Sequence, residues 1–189
     1  MSPRPGPPDR RAAAATRPRR RARAPAPPYS IRRASPGDLP VLAALMAESP
    51  LLGRYGTTAK TALDALTRGR AAGDMLIVAG MPGGRLVGMA WVVSSRILTG
   101  AAYLRLLLVG EERQRGGAGA ALLDAAETAA RAVANHLVLL ATTDNTGARR
   151  FYARHGYRHV GDLRGLARPA LDEALYWKTI RPHGRRLPV

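Results

Sequence analysis

"EERQRGGAGAALLDAAE", residues 111–127, follows the apolar run "YLRLLLV" (103–109) and leads into an alanine-rich helical pattern. The order apolar strand, arginine- and glycine-rich turn, helix opening near Gly117 places several unpaired backbone N–H groups at a helix N-terminus. Such a place favours anions, and Gly116, Gly117 and Gly119 have no Cβ to keep phosphate oxygens away. Arg113 and Arg115 add positive charge. The turn therefore reads as a seat for a phosphate or pyrophosphate, and the plain alternative is a flexible glycine turn with solvated arginines. A P-loop would need Gly-Lys-Ser/Thr, which is absent, and the first acid on the next strand, Asp144, comes too late for a dinucleotide fingerprint.

Outward from this turn, the chain alternates elements. "YSIRRA" (29–34) reads as a first strand, Ser35-Pro36 with Asp38 as a capped helix start, and 39–49 as a helix striped by Leu42, Leu45 and Met46. A second helix follows Thr58, with Ala62, Leu63 and Leu66 on one face. "MLIVAG" (75–80) and "LVGMAWVV" (86–93) flank "MPGGR" and spell a β-hairpin. The helix after Gly117 is expected to reach about Ala134, with Leu122, Ala126 and Val133 on its apolar face. "HLVLLAT" (136–142) is apolar enough for a strand covered on both faces. A helix from Asn145 to Gly156 and two strands, "RHVGDL" and "EALYWKTI", close the pattern. Early hairpins followed by strand–helix alternation predict an α/β fold with a mixed sheet under helices.

The 189 residues divide unevenly. Residues 1–28 carry no Leu, Ile, Val or aromatic side chain, so they cannot bury enough apolar surface to offset ordering, and a disordered Arg/Pro/Ala-rich tail is expected before a domain at 29–189. The formal charge of +17 comes from an arginine-dominated basic set. It would draw polyanions in a salt-dependent way, the tail included, but the same bias runs through the whole composition. Without cysteine, neither disulfides nor thiolate metal sites can form. No stretch approaches the roughly 20 apolar residues of a membrane span. The chain reads as soluble and cytoplasmic.

Two motifs carry a resemblance. "QRGGAG" (114–119), behind Leu107 to Val109, and "DNTGARRFYARHGY" (144–157) resemble the two conserved blocks of the GCN5-related N-acetyltransferase (GNAT) superfamily. The resemblance spans Tyr29 to about Ile180 and implies a central, mostly antiparallel sheet with helices on both faces. It implies acetyl-CoA as acetyl donor, its pyrophosphate on the backbone of Arg115, Gly116, Gly117, Ala118, Gly119 and Ala120 beside Gln114. It also implies that the strand ending at Val109 parts from the next one, admitting the pantetheine arm past Leu107 and Val109. Asn145 would be a polar anchor or a plain helix cap. Tyr152 stands where the family places the acid that meets the departing sulfur.

For the base the sequence offers no acid on "AAYLRLLLV", which leaves a water relay or Glu48; Glu111 and Glu112 are expected to face solvent. His155, at a helix end, reads as a surface residue, and the four histidines lack metal-ligand spacing, so no metal is expected. The acceptor implied is a primary amine, on a small molecule or a peptide, bound by 45–60 and by a loop at 163–173. A homodimer is compatible with the resemblance, with no sequence feature deciding it. The alternative is a basic nucleic-acid-associated protein that keeps an acyl-CoA scaffold without catalysis, against which stands the lack of an aromatic stacking platform.

Overall fold

The computed structural model describes residues 29–98 and 100–181, with only the backbone at 95–98. The expected tail at 1–28 and His183 lie outside the described residues. Among the described residues seven strands form one sheet: β1 (Ser30–Arg33), β2 (Met75–Gly80), β3 (Leu86–Leu98), β4 (Ala101–Val109), β5 (His136–Thr142), β6 (Arg158–Arg168) and β7 (Leu171–Thr179). Their order across the sheet is β1-β2-β3-β4-β5-β7-β6. Only β4 and β5 run parallel; the other neighbours are antiparallel.

Helices cover both faces because the central strands are apolar on both. Along β2, Met75, Ile77 and Ala79 join the core under α4 (Ala118–Ala130) and α5 (Thr146–Arg154). The alternate residues Leu76 and Val78 join the core under α1 (Leu39–Ala47) and α3 (Ala59–Ala71). The two-residue side-chain period divides one strand between two cores. Local signals start the helices as read: Asp38 closes a capping box on Ser35, and the Thr58 hydroxyl accepts from the Thr61 amide at 3.2 Å.

The feature that positions the site lies in β4. Trp91 of β3 pairs with Leu106 and Val92 with Leu104, so Arg105 is an extra, bulged residue. The bulge reverses the strand's faces: Leu104 packs with the α4 core, whereas Leu106 and Leu108 pack with the α1/α3 core. Pairing of β4 with β5 ends at Leu104 opposite Leu139, immediately before the bulge. A bulge bends and over-twists its strand, so β4 turns away from β5 and its 105–109 edge is left without a strand partner on that side.

Three expected boundaries move. The first helix stops at Ala47, because Pro50 holds Ser49 extended (ψ 117°) and starts a short helix, α2 (Pro50–Gly53), capped by Ser49. The helix expected to reach Ala134 ends at Ala130, tightening so that Asn135 reaches the Gly100 carbonyl at 2.9 Å and begins β5; Val133 is 43% exposed rather than apolar-faced. The segment 163–173, expected as a loop, is mostly the hairpin of β6 and β7.

Candidate active site

Within the glycine-rich turn, the amides of Arg113 and Gln114 are used locally, on the carbonyls of Gly110 (2.9 Å) and Glu111 (3.2 Å). Beyond them, among the described residues, the amides of Arg115, Gly116, Gly117, Ala118, Gly119 and Ala120 donate no hydrogen bond. The first intrahelical donor is Ala121, to Gly117 at 3.1 Å. Arg115 (φ 66°) and Gly117 (φ 88°) are both left-handed, a conformation that makes a concave row of N–H groups. For Arg115 that backbone costs roughly 1–2 kcal/mol, strain of the kind kept at functional turns. The glycines differ in purpose. A Cβ on Gly116 would come within 2.5 Å of the Tyr29 hydroxyl, so its smallness serves packing, while Gly119 has only ordinary contacts with Phe151 and Val109 and leaves open access. Gln114 spans the turn, donating to the Val109 carbonyl at 3.4 Å. The buried Nε of Arg113 has no partner among the described residues.

Downstream of the bulge, the parted strands open a cleft of about 690 Å³. Leu107 from β4, Leu140 and Ala141 from β5, and Asn145 and Tyr152 at α5 share its wall. Val109 is not among its lining residues and is partly buried against the α4 core. Asn145 Oδ1 caps α5 by accepting from the Ala148 amide at 3.0 Å, and the residue also lines the cleft. Tyr152 is 7% exposed, and among the described residues its hydroxyl makes no hydrogen bond. Burial pushes its phenol well above the usual tyrosine range, and Tyr103 adds to the shift. Phe151, Tyr157 and Tyr176 surround the ring at 5.4, 5.6 and 6.1 Å.

The family model for the acetyltransferase (GNAT) domain matches residues 54–165. The chain belongs to the GNAT acetyltransferase family. Acetyl-CoA is the cofactor of that family. No curated protein matches the chain. Solved structures share the GNAT fold at low identity. An N-acetyltransferase from Staphylococcus aureus Mu50 is 18% identical with a TM-score of 0.68, covering 81% of this chain and 99% of its own. The Salmonella typhimurium protein yncA, solved with its cofactor acetyl-CoA, is 15% identical with a TM-score of 0.67, covering 84% and 97%. The ribosomal-protein-S18-alanine N-acetyltransferase from Escherichia coli is 19% identical with a TM-score of 0.66, covering 85% and 99%.

The GNAT cleft of this chain also contains groups that the sequence reading missed. Glu173 of β7, 4% exposed, lies opposite Thr142 of β5. Tyr55, between α2 and α3, donates its hydroxyl proton to Glu173 and, its single proton thus used, accepts from Thr142 at 2.9 Å. Burial first, then Glu173, raises the Tyr55 phenol. Arg54 binds Asp144 at 2.9 and 3.2 Å, and Arg168 donates to the Tyr55 carbonyl, tying the α2–α3 segment over the cleft. The one sequence signal for Glu173 is a carboxylate in strand phase with Leu171 and Leu175.

Other readings resolve by position. Glu48 is exposed and does not line the cleft, so it is withdrawn as a substitute base. Glu111 is exposed, and Glu112 pairs with Arg85 at 2.7 Å on the surface. His155 stacks on Phe151 at 4.2 Å outside the cleft, its Nδ1 2.8 Å from the Phe151 carbonyl. Among the described residues no group of three or more His, Asp or Glu could hold a metal ion, and no helix is long and apolar enough to cross a membrane. Trp91 and Leu107 line the cleft, while Met89 is fully buried under α1 and α3.

Proposed function

We propose that this GNAT protein is an N-acetyltransferase that moves an acetyl group from acetyl-CoA to a primary amine by direct attack in a ternary complex. The carrying observation is the continuity of two unsatisfied surfaces. The row of free amides from Arg115 to Ala120 follows the end of β4, whose edge beyond the bulge is unpaired, and Gly119 in that row lies at contact distance from Val109 on it. A ligand with an anionic head and an extended, hydrogen-bonding arm satisfies both at once. The amides of 115–120 hold the diphosphate, with Gln114 bracing the turn. Leu107 and the Val109 backbone flank the arm, and Asn145 anchors it from the α5 side. When bound, acetyl-CoA supplies a thioester whose thiol leaves readily, with a pKa of about 8.5. Tyr152, which lines the cleft, would hold a proton for that sulfur.

The acceptor reading is an amine on a small molecule, with a protein N-terminus or lysine second, as in the alanine N-acetyltransferase relative from Escherichia coli. The test is thermal unfolding of the full chain with acetyl-CoA. A ligand at a hundredfold its Kd stabilises by about 2.7 kcal/mol, a shift of several degrees. No shift at millimolar acetyl-CoA would remove the reading.

A further inference from the structure

Among the residues lining the cleft, Glu173 is the one carboxylate, and the function proposed above leaves it unused. Its direct partner among the described residues is a neutral hydroxyl, that of Tyr55. The nearby cations are engaged elsewhere: Arg54 with Asp144, Arg168 with the Tyr55 carbonyl, and Arg105 over the Trp91 ring at 4.7 Å. Glu173 is 4% exposed and makes no ion pair with them, Arg54 acting on it only from a distance, so its hydrogen-bonding capacity toward a cation is unused. What would use it is a cation small enough to enter the cleft and able to donate hydrogen bonds.

Position gives that cation a role. Glu173 lies on the β7 side of the wedge and Tyr103 on the β4 side. Tyr103 is raised first by burial, lowered by Arg105 and raised by Glu173, and Tyr152 in turn feels Tyr103. Glu173, Tyr103 and Tyr152 therefore face one space.

We infer that Glu173, braced by Tyr55 and Thr142, is the ammonium-binding carboxylate of the acceptor site and takes the proton that frees the amine for attack. The inference rests on the acetyl-transfer reading above. The docked ammonium gives one proton to Glu173, which passes it to solvent. The neutral nitrogen's lone pair forms the C–N bond as the C–S bond breaks, and the sulfur leaves with the electron pair. Tyr152 hydrogen-bonds that sulfur and passes its proton to it only as it takes up the second proton on nitrogen. One proton is released per acetyl transferred. The acceptor class is an amine protonated at neutral pH; hydroxyl and amide acceptors offer Glu173 no charge.

The test uses methylammonium chloride as probe, with tetramethylammonium, which has no N–H, as control. The side-chain carboxyl carbon of Glu173, assigned by its loss from the spectrum of Glu173→Gln, is expected to shift saturably with methylammonium and not with the control. In thiol release from acetyl-CoA with methylamine, Glu173→Gln is expected to lose about a hundredfold or more and the acid limb of kcat. Tyr55→Phe keeps that limb at reduced rate, and acetyl-CoA affinity by calorimetry is unchanged in both. The groups around Glu173 are Arg54, Tyr55, Tyr103, Tyr152, Arg168 and Asp144. Arg54 holds Asp144 below the usual carboxylate range, and Tyr55, Tyr103 and Tyr152 are all raised, so none of these follows Glu173 in acid. A carboxyl resonance indifferent to methylammonium, or wild-type turnover by folded Glu173→Gln, would overturn the assignment. Failure of the wild type to bind acetyl-CoA would instead sink the acetyl-transfer reading, while the carboxyl shift still decides what Glu173 binds.

Discussion

Burial of Tyr152 decides how it can act. Its phenol stays protonated across the working range, because desolvation raises it above the ordinary tyrosine value of about 10. Handing that proton outright to a thiolate of lower pKa is uphill, so in the proposed transfer Tyr152 would help by hydrogen-bonding the developing charge while its own proton is replaced. The gain is bounded. Tyr152→Phe is expected to fold normally and bind acetyl-CoA as before, with kcat down about 10- to 100-fold, the low end of general-acid effects. An unchanged kcat in steady-state thiol release would take the hydroxyl out of the mechanism. The place of Tyr152 in the cleft was legible because its motif is continuous in sequence. Glu173 was not, because its burial comes from Tyr55, 118 residues away, and from Thr142 on a neighbouring strand.

Among the elements, α4 carries the cofactor proposal in its first turn. Gly119 is the second helical residue, and a Cβ there meets Phe151 and Val109 at 3.7 and 3.8 Å, ordinary contact distances. Gly119→Asp therefore removes a flexible residue from a helix and places a negative charge by its positive end, together about 0.5–1 kcal/mol of stabilisation. The same carboxylate would occupy the anion seat. Thermal unfolding without ligand should hold or rise, while calorimetry should show acetyl-CoA affinity falling tenfold or more. A variant that binds acetyl-CoA as tightly as the parent would place the diphosphate elsewhere. The turn and helix were readable from glycine spacing and local capping. The bulge at Arg105 was not, since it exists only in the register between β3 and β4.

For the molecule as a whole, pH is the clearest handle. Tyr55, Tyr103, Tyr152 and Tyr157 all sit above their ordinary value, with burial the leading cause each time. A folded-state pKa above the unfolded one contributes stability that is complete below about pH 10 and lost as pH rises through the folded values. Circular dichroism melts are expected to be flat from neutral pH to about 10 and then to fall steeply, with ionisation of these four phenols accompanying unfolding. Tyrosinate that appears while the fold persists would show these phenols to be accessible.

By itself the chain determined what neighbours in sequence can decide: the strand–glycine turn–helix seat, the capped helix starts, the alternation that gives a two-faced sheet, and the Asn145 to Gly156 helix. These rest on backbone preference and side-chain period, which act over a few residues. The tertiary structure alone decided that β4 parts from β5, that α2 is tied over the opening by Arg54 and Tyr55, and that Glu173 loses its water. Each depends on groups from distant segments sharing one volume, where a bulge changes which face a residue presents and burial changes what a charge costs.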